Sequence, residues 1–376
     1  MRTTGLATLI ASSLIAAAAN AAAPSSPQPQ HEADPFKLTV IAGGLQNPWG
    51  IALLSDGRIL VTERPGRMRL VSKNGDLSEP LGGIPAVFAR GQGGLLDVTL
   101  SPKFNEDKLV YFSFSEPEGD VAGTAVARGK LGEKALENVE VIWRQTPKVR
   151  IPNHWGSRIV FRPDGTMYVT LGDRFNQRPL VQDLSTTIGK IVRLNADGSI
   201  PKDNPFVGKD GAKGEIWSVG HRSNQAATLH PQTNQLWTVE HGARGGDELN
   251  HPEAGKNYGW PTITYGIDYN GSKIGEGTEK PGLEQPVYYW DPVIAPSGAT
   301  FYTGDAFPDW KGDLFVGSLN PGGLVRLKLE DGKVAKETRY VGNPKQRVRD
   351  VQQGPDGLLY IITDSPQGQI LRLDKK

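Results

Sequence analysis

The residues best suited to chemistry are His154, within Asn153-His154-Trp155-Gly156-Ser157-Arg158, and the arginines Arg222, Arg347 and Arg349. An imidazole of ordinary pKa takes up or gives a proton near neutral pH. Guanidinium groups bind oxygen anions through paired donors. A base among fixed cations suits chemistry on or beside an anionic, oxygen-rich small molecule. The second informative stretch is Glu240-His241-Gly242-Ala243-Arg244-Gly245-Gly246-Asp247-Glu248-Leu249-Asn250, followed by Asn257-Tyr258-Gly259-Trp260-Pro261. Its glycines let backbone carbonyls turn inward, and its carboxylates add hard oxygens. That donor set suits calcium better than a transition metal. No cysteine is present, so thiolates, disulfides and cysteine-held metals are excluded. A P-loop, a dinucleotide fingerprint and a His-Glu-x-x-His motif are absent as well.

These residues need elements that bring them together, and a repeat supplies them. Ile159 to Phe161 and Met167 to Thr170 read as short strands around the turn Pro163-Asp164-Gly165. A hairpin brings its two flanks to the end opposite its turn, so His154 and Asp173 share one end. The same unit recurs over 50–62, 95–114, 158–171, 226–239, 298–316 and 351–363. Further strand-and-turn pieces lie between, at Met68 to Ser72, Ile191 to Gly198, Leu324 to Leu329 and Gln369 to Leu373. Repeated four-stranded units imply a β-propeller. The expected architecture is all-β, six antiparallel four-stranded blades in one domain over 36–376. Long insertions fall chiefly between Asn176 and Glu215 and between Asn250 and Pro292. Lys37 to Ala42 is left to complete the last blade. A β-sandwich does not need six copies of one hairpin, and a β-helix would show shorter, more regular rungs.

In a propeller the repeated hairpin is the innermost pair, and its flanks line one mouth of the channel. Those flanks hold Gln92, His154, Arg222 and Arg347-Val348-Arg349 before the strands. After them come Arg64, Asp173-Arg174, Glu240-His241 and Leu319-Asn320-Pro321. Each has a plainer reading. On that reading His154 bonds a loop carbonyl, Arg222 pairs with a carboxylate, Arg347 and Arg349 bridge blades, and Gln92 in Gly91-Gln92-Gly93-Gly94 serves its turn. Their shared phase in the repeat favours the functional reading.

Composition bounds the rest. Gly 46 and Pro 28 in 376 residues favour short strands and turns. The net charge of +1, evenly interspersed, leaves no footprint for nucleic acid. Arg2, the apolar run Leu6 to Ala19 and the small residues before Pro24 read as a signal peptide over 1–23. That run is too short for a membrane span, and a periplasmic or secreted protein follows. Residues 24–35, rich in Pro, Ser and Gln, read as a disordered leader.

The runs Asn153 to Arg158, Gly220-His221-Arg222, Glu240 to Asn250, Asn257 to Pro261 and Arg347-Val348-Arg349-Asp350 resemble the soluble quinoprotein glucose/sorbosone dehydrogenase family, and within it the periplasmic aldose sugar dehydrogenases. The resemblance spans Leu38 to Leu373. It implies a pyrroloquinoline quinone (PQQ) cofactor in the channel mouth, calcium, an aldose substrate and an external electron acceptor. His154 matches the family's base and Arg222 the arginine beside the reacting carbonyl. Gln92, His241, Tyr269, Arg347, Arg349 and the Asn320-Pro321-Gly322 loop match cofactor-contacting positions. Gly242 and Ala243 match the carbonyls that bind the cofactor's calcium, and Glu248 and Tyr258 a structural calcium site. Asn153, His241, Asn320 and Ser223 depart from the glucose-oxidising branch, which puts glucose preference in question. That branch's dimer-forming insertions are absent, which implies a monomer. Two other activities fit a propeller. A calcium-dependent sugar lactonase needs several carboxylates at the channel centre, which this cationic mouth lacks. A glycan-binding propeller would present aromatics such as Trp155, Trp260 and Trp290.

Overall fold

The structure is a computed structural model that describes residues 29–31, 33–340 and 346–376. Each expected hairpin forms an antiparallel pair. The pairs are Pro48–Leu53 with Ile59–Glu63, Leu95–Leu100 with Leu109–Glu118, and Gly156–Phe161 with Met167–Leu171. Asn224–Leu229 with Leu236–Glu240, Pro296–Phe301 with Leu314–Ser318, and Val348–Gln353 with Leu359–Thr363 follow. Each pair begins a separate sheet, here blades 1 to 6 in chain order. The first strand of each blade packs on the first strand of the next, and that of blade 6 packs on that of blade 1. The ring is therefore closed, and the hairpins are innermost.

Blades 2, 3 and 4 have four strands from consecutive chain. Blade 6 borrows its outer strand: Phe36–Leu45 pairs antiparallel with Gly368–Lys375, so the two chain regions lock the ring. Blade 1 has three strands, and Leu77 bridges Val71 at the fourth position. Blade 5 gains a fifth, because Gln30–His31 pairs in parallel with Lys333–Tyr340. The segment 24–35, expected to be a disordered leader, is thus held in part. The outer edge of a sheet exposes unpaired N–H and C=O groups, and an extended segment beside it can pair with them. The expected signal peptide, 1–23, lies outside the described residues.

Apolar faces of adjacent blades bury one another. Leu60 and Met68 of blade 1 meet Phe112, Phe114 and Ala125 of blade 2. Trp237 and Val239 of blade 4 meet Phe301, Val316 and Val325 of blade 5. At the axis, packing gives way to charge. Arg158 Nη1 donates to Asp97 Oδ1 at 2.8 Å, and Nη2 lies 3.2 Å from Asp350 Oδ1. Its Nε donates to the Gln225 carbonyl, its Nη2 to the carbonyls of Ser297 and Arg349, and its plane lies over Trp49. One buried guanidinium from blade 3 thereby touches all five other blades. Asp97 and Asp350 also accept the N–H groups of Ile159 and Ile51. Burial and mutual repulsion push Asp350 up to about 6. Glycine is required beside this cluster, since a Cβ on Gly298 would lie 2.1 Å from Asp350 Oδ1.

All six inner hairpins shift register near the start of their first strand. Such a bulge bends the strand and re-aims the residues around it. The polar flanks of the repeat therefore turn toward the same mouth.

Candidate active site

Blade 3 sets the base. The His154 N–H is bonded by Gln92 Oε1 at 2.7 Å, and its Nδ1 lies 2.6 Å from Asp173 Oδ1. A carboxylate only accepts, so Nδ1 carries the proton and Nε2 keeps its lone pair. Asp173 is itself fixed. Its Oδ2 accepts from Trp260 Nε1 at 2.8 Å, its Oδ1 from the Phe175 N–H, and its own N–H donates to the Arg222 carbonyl. Burial lowers the pKa of His154. The hydrogen bond to Asp173 opposes this, and the charges of Arg222 and Arg174 reinforce it. The imidazole is thus held neutral and oriented, as a proton acceptor needs.

Arg222 sits beside it, buried on the flank of blade 4. Its Nη1 donates to the His241 carbonyl and its Nη2 to Tyr269 Oη, both at 3.1 Å, and Trp260 lies beneath its plane. Its Nε has no partner, and among the described residues no carboxylate forms a salt bridge with it. The plainer reading, an ion pair with a neighbouring blade, is therefore not what the fold makes. A buried, uncompensated cation is expensive unless an anion completes it.

The adjoining cavity of about 230 Å³ is lined by Arg64, Gln92, Gln225, His241, Leu319, Arg347 and Arg349, with Trp49 and Trp155. Arg347 and Arg349 both pair with Asp364, at 2.6 and 3.0 Å, and Arg349 also donates to Gln225 Oε1. Asp364 neutralises part of their charge, and its own pKa is lowered despite burial by Arg349 and Arg347. The buried Nε of Arg349 and Nε2 of His241 have no partner. Burial pushes His241 down to about 3, helped by Arg222, His154 and Arg349, so its ring is neutral. The unused Nε–H of Arg349, beside the guanidinium groups of Arg347 and Arg64, fits a compact polycarboxylate. Asn320 and Pro321 are exposed, while Gly322 is buried. The Asn320-Pro321-Gly322 loop borders the cavity through Leu319, whose carbonyl accepts from Arg347.

The glycine-rich stretch lies behind Arg222. Asp247 ties it down. Its Oδ1 accepts from the Gly242 N–H, and its Oδ2 accepts from the N–H groups of Ile294 and Ala295. Ala243 packs on Val181, Ile188, Trp260 and Ile274, which fixes the backbone that carries it. Next to it, Glu240 is saturated by His221 Nδ1, Asn250 Nδ2 and the Arg222 N–H. Glu248 shares the same Asn250 amide, at 3.2 Å. Its pKa is raised well above the ordinary value by burial and then by Glu240. The Tyr258 hydroxyl donates to the His251 carbonyl and accepts from the Glu253 N–H, so only its carbonyl is left for a metal. Among the described residues no three of His, Asp and Glu are grouped to hold a metal. A calcium here would have to draw chiefly on backbone carbonyls.

The fold thus brings His154, Arg222 and Tyr269 into one cluster and Gln92, His241, Arg347 and Arg349 into the cavity beside it. Two partners of the base were not assigned from sequence. Asp173 was placed at the right end by the hairpin, but nothing in the residue order says that its carboxylate meets Nδ1. Phe175, whose ring lies 5.3 Å from that of His154, carried no signal at all.

Residues 45–372 match the model of the glucose/sorbosone dehydrogenase family. The chain is 44% identical to aldose sugar dehydrogenase YliI of Escherichia coli, over 90% of this chain and 93% of that protein. The apo-form crystal structure of the soluble E. coli aldose sugar dehydrogenase superposes with a TM-score of 0.88 at 43% identity, covering 91% of this chain and all of that one. The PQQ-bound form of aldose sugar dehydrogenase from Streptomyces coelicolor superposes at 0.74 with 28% identity, over 91% and 99% of the two chains. With its propeller, its oriented histidine and its cationic mouth, this chain belongs to the glucose/sorbosone dehydrogenase family of oxidoreductases.

Proposed function

We propose that the protein oxidises aldoses at the anomeric carbon to lactones, with PQQ and calcium bound in the mouth and His154 as the base. The observation that carries this reading is the buried Arg222 guanidinium, which among the described residues pairs with no carboxylate and has an unpartnered Nε, beside a neutral histidine. The PQQ-bound relative supports the choice of cofactor. When bound, PQQ supplies the two-electron acceptor and calcium a Lewis acid. Arg222, His241, Tyr269, Arg347, Arg349, the second amide position of Gln92 and the loop at Asn320-Pro321-Gly322 would hold it, and the carbonyls of Gly242 and Ala243 the calcium. His154 Nε2 takes the proton of the anomeric hydroxyl while Asp173 holds Nδ1, and the C1 hydrogen would leave with its electron pair to the bound two-electron acceptor. Arg222 stabilises negative charge as it grows, from a fixed position in a site of low dielectric. An external acceptor would then take up the two electrons.

The test is dye reduction by the purified protein with a panel of aldoses, each additive being omitted in turn. Activity that requires both PQQ and calcium, with bleaching of the quinone absorption on adding sugar, is the expected result. No activity together with no PQQ binding on titration would overturn the reading and leave a mouth built for another anion.

Calcium at Glu248 makes a separate prediction. In the absence of PQQ, calcium should raise the unfolding temperature of the wild type. Saturation at a hundred times Kd corresponds to about 2.7 kcal/mol. The Glu248→Gln protein should lose most of that increment. Equal increments in both proteins would remove Glu248 from the site.

A further inference from the structure

Two strained residues follow Asp173, beside a histidine whose own φ is 53°. Arg174 and Phe175 both have positive φ, 52° and 64°, and neither is glycine. A bulky side chain in this region is strained and persists only where its surroundings impose it. Here two anchors impose it. The Arg174 guanidinium is buried and stacked 3.4 Å over Trp155, and it donates to the carbonyls of Ala122, Ile151 and Asn153. The Phe175 N–H is bonded to Asp173 Oδ1, the same oxygen that holds His154. The chain therefore turns twice in the left-handed sense, and the two side chains part. Arg174 goes into the floor. The Phe175 ring meets the His154 imidazole edge-on at 5.3 Å and 74°, and stacks with Tyr269 at 6.4 Å and 23°.

Phe175 is only half-buried and Tyr269 is 56% exposed, so this pair stands at the open side of the site. Tyr269 is steadied by Arg222 Nη2 on its hydroxyl. Two aromatic rings are thus held by the same residues that hold the base and the cation. A pyranose offers one face of C–H groups, whose partial positive charge suits the electron-rich face of an aromatic ring. The polar rim of that sugar remains free for His154 and Arg222.

We propose that Phe175, backed by Tyr269, is the platform on which the sugar ring stacks, and that its strained backbone is retained for that purpose. The proposal rests on the reading of the protein as an aldose dehydrogenase. It assigns a substrate-binding role to a residue that does not share in the proton transfer.

The test uses the full-length mature protein loaded with PQQ and calcium, and the Phe175→Gly and Phe175→Tyr variants. Glycine accepts the positive φ without strain, so removing the ring this way should leave the unfolding temperature within a few degrees of the wild type. PQQ binding by titration should be unchanged. KM for a pyranose such as glucose should rise roughly tenfold with kcat changed far less, the size expected for loss of one aromatic contact. Phe175→Tyr should restore KM. An unchanged KM in Phe175→Gly, with an active wild type, would overturn the platform and leave the dehydrogenase reading standing. A large fall in unfolding temperature with KM unaltered would also overturn it, since the ring would then serve only the loop. An inactive wild type that binds no PQQ would instead remove the parent reading, and this inference with it.

Discussion

Replacing His154 by alanine is expected to lower turnover by roughly two to four orders of magnitude, the usual worth of a positioned base, while PQQ still binds. Among the described residues the side chain pairs with Asp173 alone, so its loss leaves the cationic cavity intact. Single-turnover reduction of bound PQQ by sugar, followed by absorbance, would separate this from a binding defect. A variant that keeps wild-type turnover would show that another group takes the proton. The pH profile gives a second check, and its sign follows from the surroundings. Burial, Arg222 and Arg174 hold His154 below its ordinary 6.5, against the pull of Asp173. The base is therefore neutral at pH 7 and stays so somewhat below 6.5, and the acid limb of kcat/KM falls at lower pH than a free imidazole would give. In Arg222→Gln the loss of a nearby cation favours protonation, so the limb should move to higher pH as the rate falls. A limb that stays in place would mean that Arg222 does not act on His154 through its charge.

Arg158→Met is expected to be the most destabilising single change at the propeller axis. Removing the guanidinium leaves Asp97 and Asp350 buried, close together and without a cation. Breaking a buried pair in this way costs about 3–5 kcal/mol. For a domain of this size that is a fall of roughly 4–7 °C in unfolding temperature. Combining it with Asp97→Asn and Asp350→Asn should recover much of the loss, because uncharged amides remove the unpaired charge. Thermal unfolding followed by circular dichroism would measure all three steps. If the single change were neutral, the cluster would contribute nothing to holding the blades together, and the ring would rest on its apolar faces alone. Arg158 belongs to the same run as His154, four residues away. The motif that supplies the base thus also supplies the pin of the axis.

The repeat was legible because it is local. Paired strands around turns rich in proline, aspartate or glycine mark each hairpin within about twenty residues, so six hairpins, one closing strand from Lys37 to Ala42 and a shared mouth follow from the residue order. The residue types in the flanks, chiefly arginine and histidine, were enough to indicate an anionic guest. Contacts set by closure of the ring were not legible. Arg158 meets Arg349 across 191 residues of chain, and Gln92 meets His154 across 62. No local pattern encodes those pairs. The same holds for the division between satisfied and unsatisfied groups. Arg222, Arg349 and Glu240 look alike in sequence as charged flanks. Only the folded ring gives Arg349 its partner Asp364 and Glu240 its three donors, and leaves Arg222 without a carboxylate among the described residues. Residue type and spacing determined which groups would face the mouth. Burial and the distances between blades decided which of them remain free to act.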